Sequence, residues 1–327
     1  MGNYKPSDSR SFPRFAGIKT FMRLPHIRST QGIDFAIIGV PWDGGATFRS
    51  SQRSAPDTIR KMSHLFRPYN PGVDVTIFNH CSGVDYGDLP VVPGYIEETY
   101  QRIDEALLPV VEAGIFPVLL GGDHSITLPE LRAISKVHGQ MALIHFDAHA
   151  DINEDNFGLP YDHGTPFRRA VEEKLIAPGQ SIQVGMRGSL YSRDHYKKSE
   201  KLGFKIMPMA AVRQIGIEQT IKHIINRIED RKAFISFDID VVDPAYAPGT
   251  GTPEIGGFTS AEAVRLIQGL AGINLVGCDV VEVLPQYDHA DITALLAASI
   301  AYEFVSLFAL NKKSGKGDID APLTENS

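Results

Sequence analysis

"HFDAHAD", residues 145–151, follows the apolar run "MALI" and places Asp147, His149 and Asp151 at every second position. An extended strand sends alternate side chains to opposite faces, so the spacing predicts these three on one side and Ala148 and Ala150 on the other. Carboxylates crowded near a sheet interior oppose one another's ionisation unless a cation sits among them. "FDID" repeats the arrangement with Asp238 and Asp240. "LLGGDHS" adds His124, while its Asp123 reads as a turn residue of the kind that caps a following helix. His124, Asp147, His149, Asp151, Asp238 and Asp240 together are too many ligands for one tetrahedral zinc. Their carboxylate-rich mix suits two divalent ions, Mn²⁺ first, with Ni²⁺, Co²⁺ or Zn²⁺ as substitutes. Two such ions about 3.5–4 Å apart would share a water and bring its pKa toward neutrality, and the chemistry that follows is hydrolysis.

These residues need strands to carry them. Short apolar runs occur at "DFAIIGV" (34–40), "FPVLLGG" (116–122), "MALIHFDAH" (141–149), "SIQVGMRG" (181–188), "FISFDID" (234–240) and "LVGCDVVEV" (275–283). Most are apolar throughout, which predicts strands covered on both faces, as in a parallel sheet. Amphipathic segments alternate with them at 97–114, 128–139, 165–175 and 218–230, and Thr259 stands three residues before Glu262 as a capping box for another helix. The pattern predicts an α/β fold of three layers, a mainly parallel central sheet flanked by helices. Ligands in such sheets gather beyond the carboxyl ends of the strands, where these clusters fall. We expect an irregular N-terminal segment over 1–33, one catalytic domain over 34–311 and a disordered tail over 312–327.

Composition narrows the partners. The chain has 327 residues, 43% hydrophobic, with a formal charge of −7 and a pI near 5.9. That balance lacks the dense basic surface needed for nucleic acid or anionic membranes, and a small molecule fits better. Cys81 and Cys278 are too few for a disulfide framework, which predicts a reducing, cytoplasmic setting. No uninterrupted apolar stretch reads as a membrane span, and "MGNYKPS" matches only a short myristoylation pattern that is frequent by chance.

Four longer stretches, "GGDHS", "FDAHAD", "SFDIDVVDPAYAPGTGTPEIGG" and "CDVVEVLPQYD", resemble the signatures of the ureohydrolase family, which includes arginase, agmatinase, guanidinobutyrase and guanidinopropionase. The resemblance runs from about residue 39 to about residue 310. It implies an arginase-like fold, two metal ions, and the cleavage of a guanidino compound to urea and an amine. It further implies that His124 and Asp151 complete one ion's shell and His149 and Asp240 the other's, with Asp147 and Asp238 bridging. Glu282 in "VVEV" resembles the family carboxylate that orients the guanidinium, and His163 in "YDHGTPF" the histidine that handles protons. A histidine near its ordinary pKa could protonate the departing amine. The resemblance also implies a homo-oligomer, trimer or hexamer.

The far end of the substrate is less determined. Asn153 occupies the position where arginases carry an asparagine against the amino-acid end of arginine, and an amide serves a carboxylate or an amine equally. Glu154, Asp155 and Asp162 favour an amine tail if they face the pocket; Arg49 and Arg53 favour a carboxylate. Trp42 is either a pocket wall or a packing residue, and "PGTGTPEIGG" (248–257) reads as a loop framing the pocket, not a phosphate loop. His145 falls on the ligand side by strict alternation, yet deeper, and reads as a core histidine with its hydrogen bonds met. The leading expectation is an agmatinase-like enzyme. Guanidinobutyrase, guanidinopropionase or a hydrolase of another small guanidine or biguanide stand as alternatives, and a catalytically silent partner subunit as an alternative of another class.

Overall fold

A computed structural model describes residues 4–316. Among these lie ten strands: β1 (Phe35–Gly39), β2 (Tyr69–Asn70), β3 (Val75–Thr76), β4 (Gly83–Asp88), β5 (Phe116–Leu120), β6 (Ala142–Phe146), β7 (Ile182–Val184), β8 (Lys205–Met207), β9 (Ala233–Asp238) and β10 (Leu275–Val281). The helices are α1 (Ala55–Ser63), α2 (Ile77–His80), α3 (Ile96–Glu112), α4 (Thr127–His138), α5 (Pro166–Glu172), α6 (His195–Leu202), α7 (Met209–Ile215), α8 (Ile217–Ile228), α9 (Ser260–Gln268) and α10 (Ile292–Lys316). Eight strands form one sheet in the order β4-β1-β5-β10-β9-β6-β7-β8, and every pairing within it is parallel. The sheet is the one that the apolar runs predict.

Alternate side chains of each strand feed two separate cores. Phe35, Ile37, Val118, Phe146 and Phe237 pack with Ile59 of α1, Ile224 of α8, Leu266 of α9 and Phe304 of α10. Ala36, Ile38, Leu119, Leu143 and Phe234 pack on the opposite face with Leu107 of α3, Leu131 of α4 and Phe167 of α5. Both faces are therefore dry, which accounts for strands without polar alternation. The capping box of α9 forms as its sequence predicts, Thr259 accepting from the Glu262 N–H at 3.1 Å.

Three features depart from the sequence expectation. The runs "MALIHFDAH" and "FISFDID" do not stay extended, since β6 stops at Phe146 and β9 at Asp238. Residues 312–316, expected to open a disordered tail, are the end of α10, because an apolar helix docked on the sheet carries its last turn with it; residues 317–327 of that expected tail lie outside the described residues. That helix is also long and apolar enough on average to cross a membrane, although Glu303 interrupts its apolar run, and most of it is buried inside the fold like any core helix. In the N-terminal segment, Phe21 and Met22 are wholly buried, and the Phe21 N–H donates to Asp85 at 2.8 Å. Arg60 anchors the same Asp85 through a buried ion pair at 2.8 Å.

Candidate active site

The four central strands, β5, β10, β9 and β6, all end on one edge, and each delivers part of one site. After β5, Asp123 caps a short turn by accepting from Ser125 N–H at 3.0 Å and from Gly45 N–H at 2.7 Å. With both oxygens occupied in this way it is a turn residue, and the turn presents His124. His124 Nδ1 lies 3.2 Å from Asp147 Oδ2, 3.0 Å from Asp151 Oδ2 and 3.2 Å from Asp238 Oδ2. His149 Nδ1 lies 3.3 Å from Asp147 Oδ1 and 3.0 Å from Asp240 Oδ2. All six expected ligands thus converge in two adjoining clusters. Asp147 offers one oxygen to each. Asp238 turns Oδ2 to the His124 cluster, while its Oδ1 accepts the Asp240 N–H at 2.8 Å, as Asp147 Oδ1 accepts that of His149.

The convergence has a different cause from strand alternation. Beyond Phe146 the chain bends, with His149 N–H donating to Asp147 Oδ1 at 2.5 Å, and Asp151 takes a left-handed φ of 49° that swings its carboxylate back to His124. Beyond β9 a single 3-10 turn, Ile239–Val241, brings Asp240 round to His149.

The electrostatics call for a cation. His124 Nδ1 is buried and has no hydrogen-bond partner, while His124 Nε2 is held by Ser236 Oγ at 2.8 Å. Its lone pair therefore points at three carboxylate oxygens, an arrangement that only a proton or a metal ion makes favourable. Without metal, burial opposes charge on His124, but Asp147, Asp151 and Asp238 outweigh it and raise its pKa well above the ordinary value. Burial, then the charges of Asp240 and Asp147, push the Asp238 carboxyl well up. Burial, then Asp147, do the same for Asp240. One imidazole with several carboxylates in each cluster is a donor set for hard divalent ions. His145, wholly buried, donates from Nε2 to Asp147 Oδ2 at 2.7 Å and accepts at Nδ1 from Gln183 at 3.0 Å, so it orients Asp147 with both nitrogens met.

His163 and Glu282 form a second unit beside the metal clusters. His163 Nδ1 donates to Glu282 Oε1 at 2.9 Å, and its Nε2 accepts from the Thr47 N–H at 3.2 Å and meets Thr47 Oγ1 at 2.7 Å. Glu282 also accepts from His124 N–H at 2.9 Å and from Gln52 Nε2 at 2.8 Å. A left-handed φ of 63° after β10 gives Glu282 this inward aim. Burial disfavours charge on His163, but the Glu282 carboxylate overrides it and raises the pKa to about 9, above the ordinary value assumed from sequence. Glu282 is 1% exposed; its Oε1 serves both His163 and the His124 N–H, while Oε2 accepts one bond, from Gln52, and the residue stands behind His163 outside the cavity lining.

The pocket is a cavity of about 590 Å³ whose floor includes His149, Asp151, Asp238 and His163. Asn153 lines it, with its amide 3.4 Å from Asn156 Oδ1. Thr252, Pro253 and Glu254 bring the "PGTGTPEIGG" loop to its wall, and Phe48, Phe157 and Tyr191 stand exposed at its mouth. Gly188 has φ 81°, a left-handed backbone that favours glycine, and a Cβ there would lie 2.2 Å from the Glu254 carboxyl carbon and push that side chain aside. Trp42 is buried in the core and is not part of the lining. Arg49 and Arg53 are likewise absent from the lining: Arg53 pairs with Asp43 and Arg49 stacks on Tyr287. Nor do Glu154, Asp155 or Asp162 line it. Arg187 does, but its guanidinium donates to six backbone carbonyls, those of Gly185, Asp240, Val241, Val242, Glu254 and Ile255. Thr47, Gln52, Ser236 and Arg187 went unnoticed in the sequence, since each acts through a partner far along the chain.

A model of the arginase family matches residues 33–306. The chain is similar to a guanidinopropionase of Pseudomonas aeruginosa, 42% identical over 93% of this chain and 96% of that one. It is similar to a mitochondrial agmatinase of Gallus gallus, 40% identical over 92% of this chain and 88% of that one. Among solved structures it resembles the proclavaminate amidino hydrolase of Streptomyces clavuligerus, with a TM-score of 0.88 and 38% identity over 91% of this chain and 99% of that one.

Proposed function

The chain belongs to the arginase family of hydrolases, and on that premise we propose that it cleaves a small guanidino compound with an amine-type tail, as in agmatine, to urea and the corresponding amine. The observation that carries the reaction class is the buried, unpartnered Nδ1 of His124 aimed at three carboxylates. His124, Asp147, Asp151 and Asp238 would hold one divalent ion, and His149, Asp147 and Asp240 a second, with Mn²⁺ the ion that this donor set suits first. When bound, the pair supplies Lewis acidity and a water that deprotonates near neutral pH.

The chain's own residues supply the rest. Addition of water's oxygen to the guanidino carbon is followed by breakage of the bond to the substituted nitrogen, which must gain a proton as it leaves. His163, on the pocket floor and held by Glu282, has its pKa raised to about 9; Nε2, the acceptor of the Thr47 N–H in the neutral ring, is the atom that takes up that proton and passes it on. Glu282 fixes the ring and its tautomer. The tail reading is supported by the wall. Among the described residues that line the cavity, the arginine is committed to carbonyls, while the Glu254 carboxylate carries no ion pair. A cationic tail finds a charged partner there, whereas the lining's one arginine is already engaged. Similarity to the guanidinopropionase favours a guanidino acid as the second reading.

The test is urea release by Mn²⁺-loaded protein from agmatine, 4-guanidinobutyrate, 3-guanidinopropionate, arginine and guanidine. Agmatine should exceed the rest. Urea mainly from an acid overturns the tail assignment, and no urea from any, with two ions verified per chain, overturns the reaction.

A further inference from the structure

Behind the His124 cluster, on the side away from the cavity, a run of buried polar groups enters the core. His124 Nε2 meets Ser236 Oγ at 2.8 Å, and the Ser236 hydroxyl donates to Asp279 Oδ1 at 2.8 Å. Asp279 also accepts from the Phe237 N–H at 3.2 Å and from Thr127 Oγ1 at 2.6 Å. The run ends at Glu130 in the first turn of α4. Glu130 is wholly buried, neither of its oxygens receives a hydrogen bond from the described donors, and its carboxyl bonds to that of Asp279.

Two touching carboxyls in a dry core cannot both be ionised. The Asp279 oxygens accept from Ser236, the Phe237 N–H and Thr127, whereas no described donor reaches either oxygen of the buried Glu130, so the proton between them resides on Glu130, whose carboxyl burial also pushes well above its ordinary range. We infer that Glu130 is the positioning residue of the His124 site: as a neutral acid it donates to Asp279, which through Ser236 holds the His124 ring with the Nδ1 lone pair facing Asp147, Asp151 and Asp238. The logic is one of hydrogen count. Ser236 has one hydroxyl proton. While Asp279 is a pure acceptor that proton is committed to it, and only the Nε2–H tautomer of His124 can then satisfy Ser236. If Asp279 itself took up the proton, the chain could reverse, with Ser236 donating to Nε2 and Nδ1 carrying the hydrogen. A protonated Nδ1 binds no metal. Glu130 thus sets the polarity of the whole run. This inference rests on the two-metal reading proposed above.

The experiment titrates metal-free full-length protein with Mn²⁺ against a competing chelator, with stoichiometry from elemental analysis and the melting temperature of each metal-free variant as a folding control. Glu130→Gln keeps a donor to Asp279 and should retain the affinities of the unaltered protein. Glu130→Leu removes the donor and should weaken one of the two ions by about tenfold or more, without lowering the metal-free melting temperature. Asp279→Asn is nearly isosteric but can donate toward Ser236, and it should weaken the same ion. Unchanged affinity in Glu130→Leu or Asp279→Asn overturns the inference, as does an equal loss in Glu130→Gln and Glu130→Leu, which would mean that charge and not donation matters. Should Glu130→Leu fail to fold, the contrast between Glu130→Gln and Asp279→Asn decides alone. An unaltered protein that binds no divalent ion removes the two-metal reading itself, an outcome distinct from the others.

Discussion

The two ligand clusters share Asp147 and a donor chemistry, yet they sit in different surroundings. The His124 side chain is 1% exposed and is backed by Ser236 and Asp279, whereas the His149 side chain is 34% exposed and forms part of the cavity floor. One cluster is built like a structural site, closed and braced from behind, and the other like a catalytic site with an open side. A single centre can therefore divide its labour: the deep half holds shape, and the shallow half meets what enters the pocket.

Asp147→Asn should erase the distinction altogether, since one oxygen serves each cluster. Both ions and all urea release should disappear; full activity at unchanged metal content would contradict the shared role. Next in size is the proton donor. His163→Asn should lower kcat by roughly 10²–10⁴-fold while metal content stays intact, because His163 is in neither cluster. In the unaltered enzyme the rate should fall as pH rises through about 9, where His163 loses its proton. Its raised pKa also stabilises the fold, fully below the ordinary histidine value near 6.5, with that contribution lost as pH climbs through about 9. A melting curve flat across that window would speak against the Glu282 pairing. Smaller still, dialysis against a chelator should strip the ions in two phases, the His149 cluster first, and His149→Asn should leave one ion bound. Single-phase release would make the two halves equivalent. The least effect belongs to the wall: Glu254→Gln should raise KM for agmatine about two- to fivefold, the scale of an exposed ion pair, with little change in kcat.

The sequence made the sheet and the six clustering His and Asp residues legible for different reasons. Strands dry on both faces leave continuous apolar runs, and metal-binding side chains are chemically conspicuous wherever they fall. The geometry that gathers the ligands was not legible. Alternation along a strand suggested it, but the strands stop at Phe146 and Asp238, and the work is done by carboxylates accepting their own backbone N–H groups and by a left-handed Asp151. Side chains that act through distant partners were equally hidden. That Glu282 holds His163, the His124 N–H and Gln52 together could not be read from "VVEV". Glu130 in "LPELRAISKVHG" looked like one polar residue of an ordinary amphipathic helix. α10 left no period to read because it is apolar nearly all round, as a helix buried on most sides must be.

That last helix has a consequence for how the protein is made. Phe308 of α10 stacks on Phe116 of β5 at 4.6 Å and meets Phe35 of β1 edge-on at 6.4 Å. The strip of sheet that they form is synthesised long before its cover. At about 5–20 residues per second, the interval between residues 35 and 316 is on the order of 15–55 s. Throughout it the nascent sheet presents bare aromatic surface beside the ribosome, so a chaperone that shields such surface should govern the yield of this protein more than that of one whose cover is encoded early.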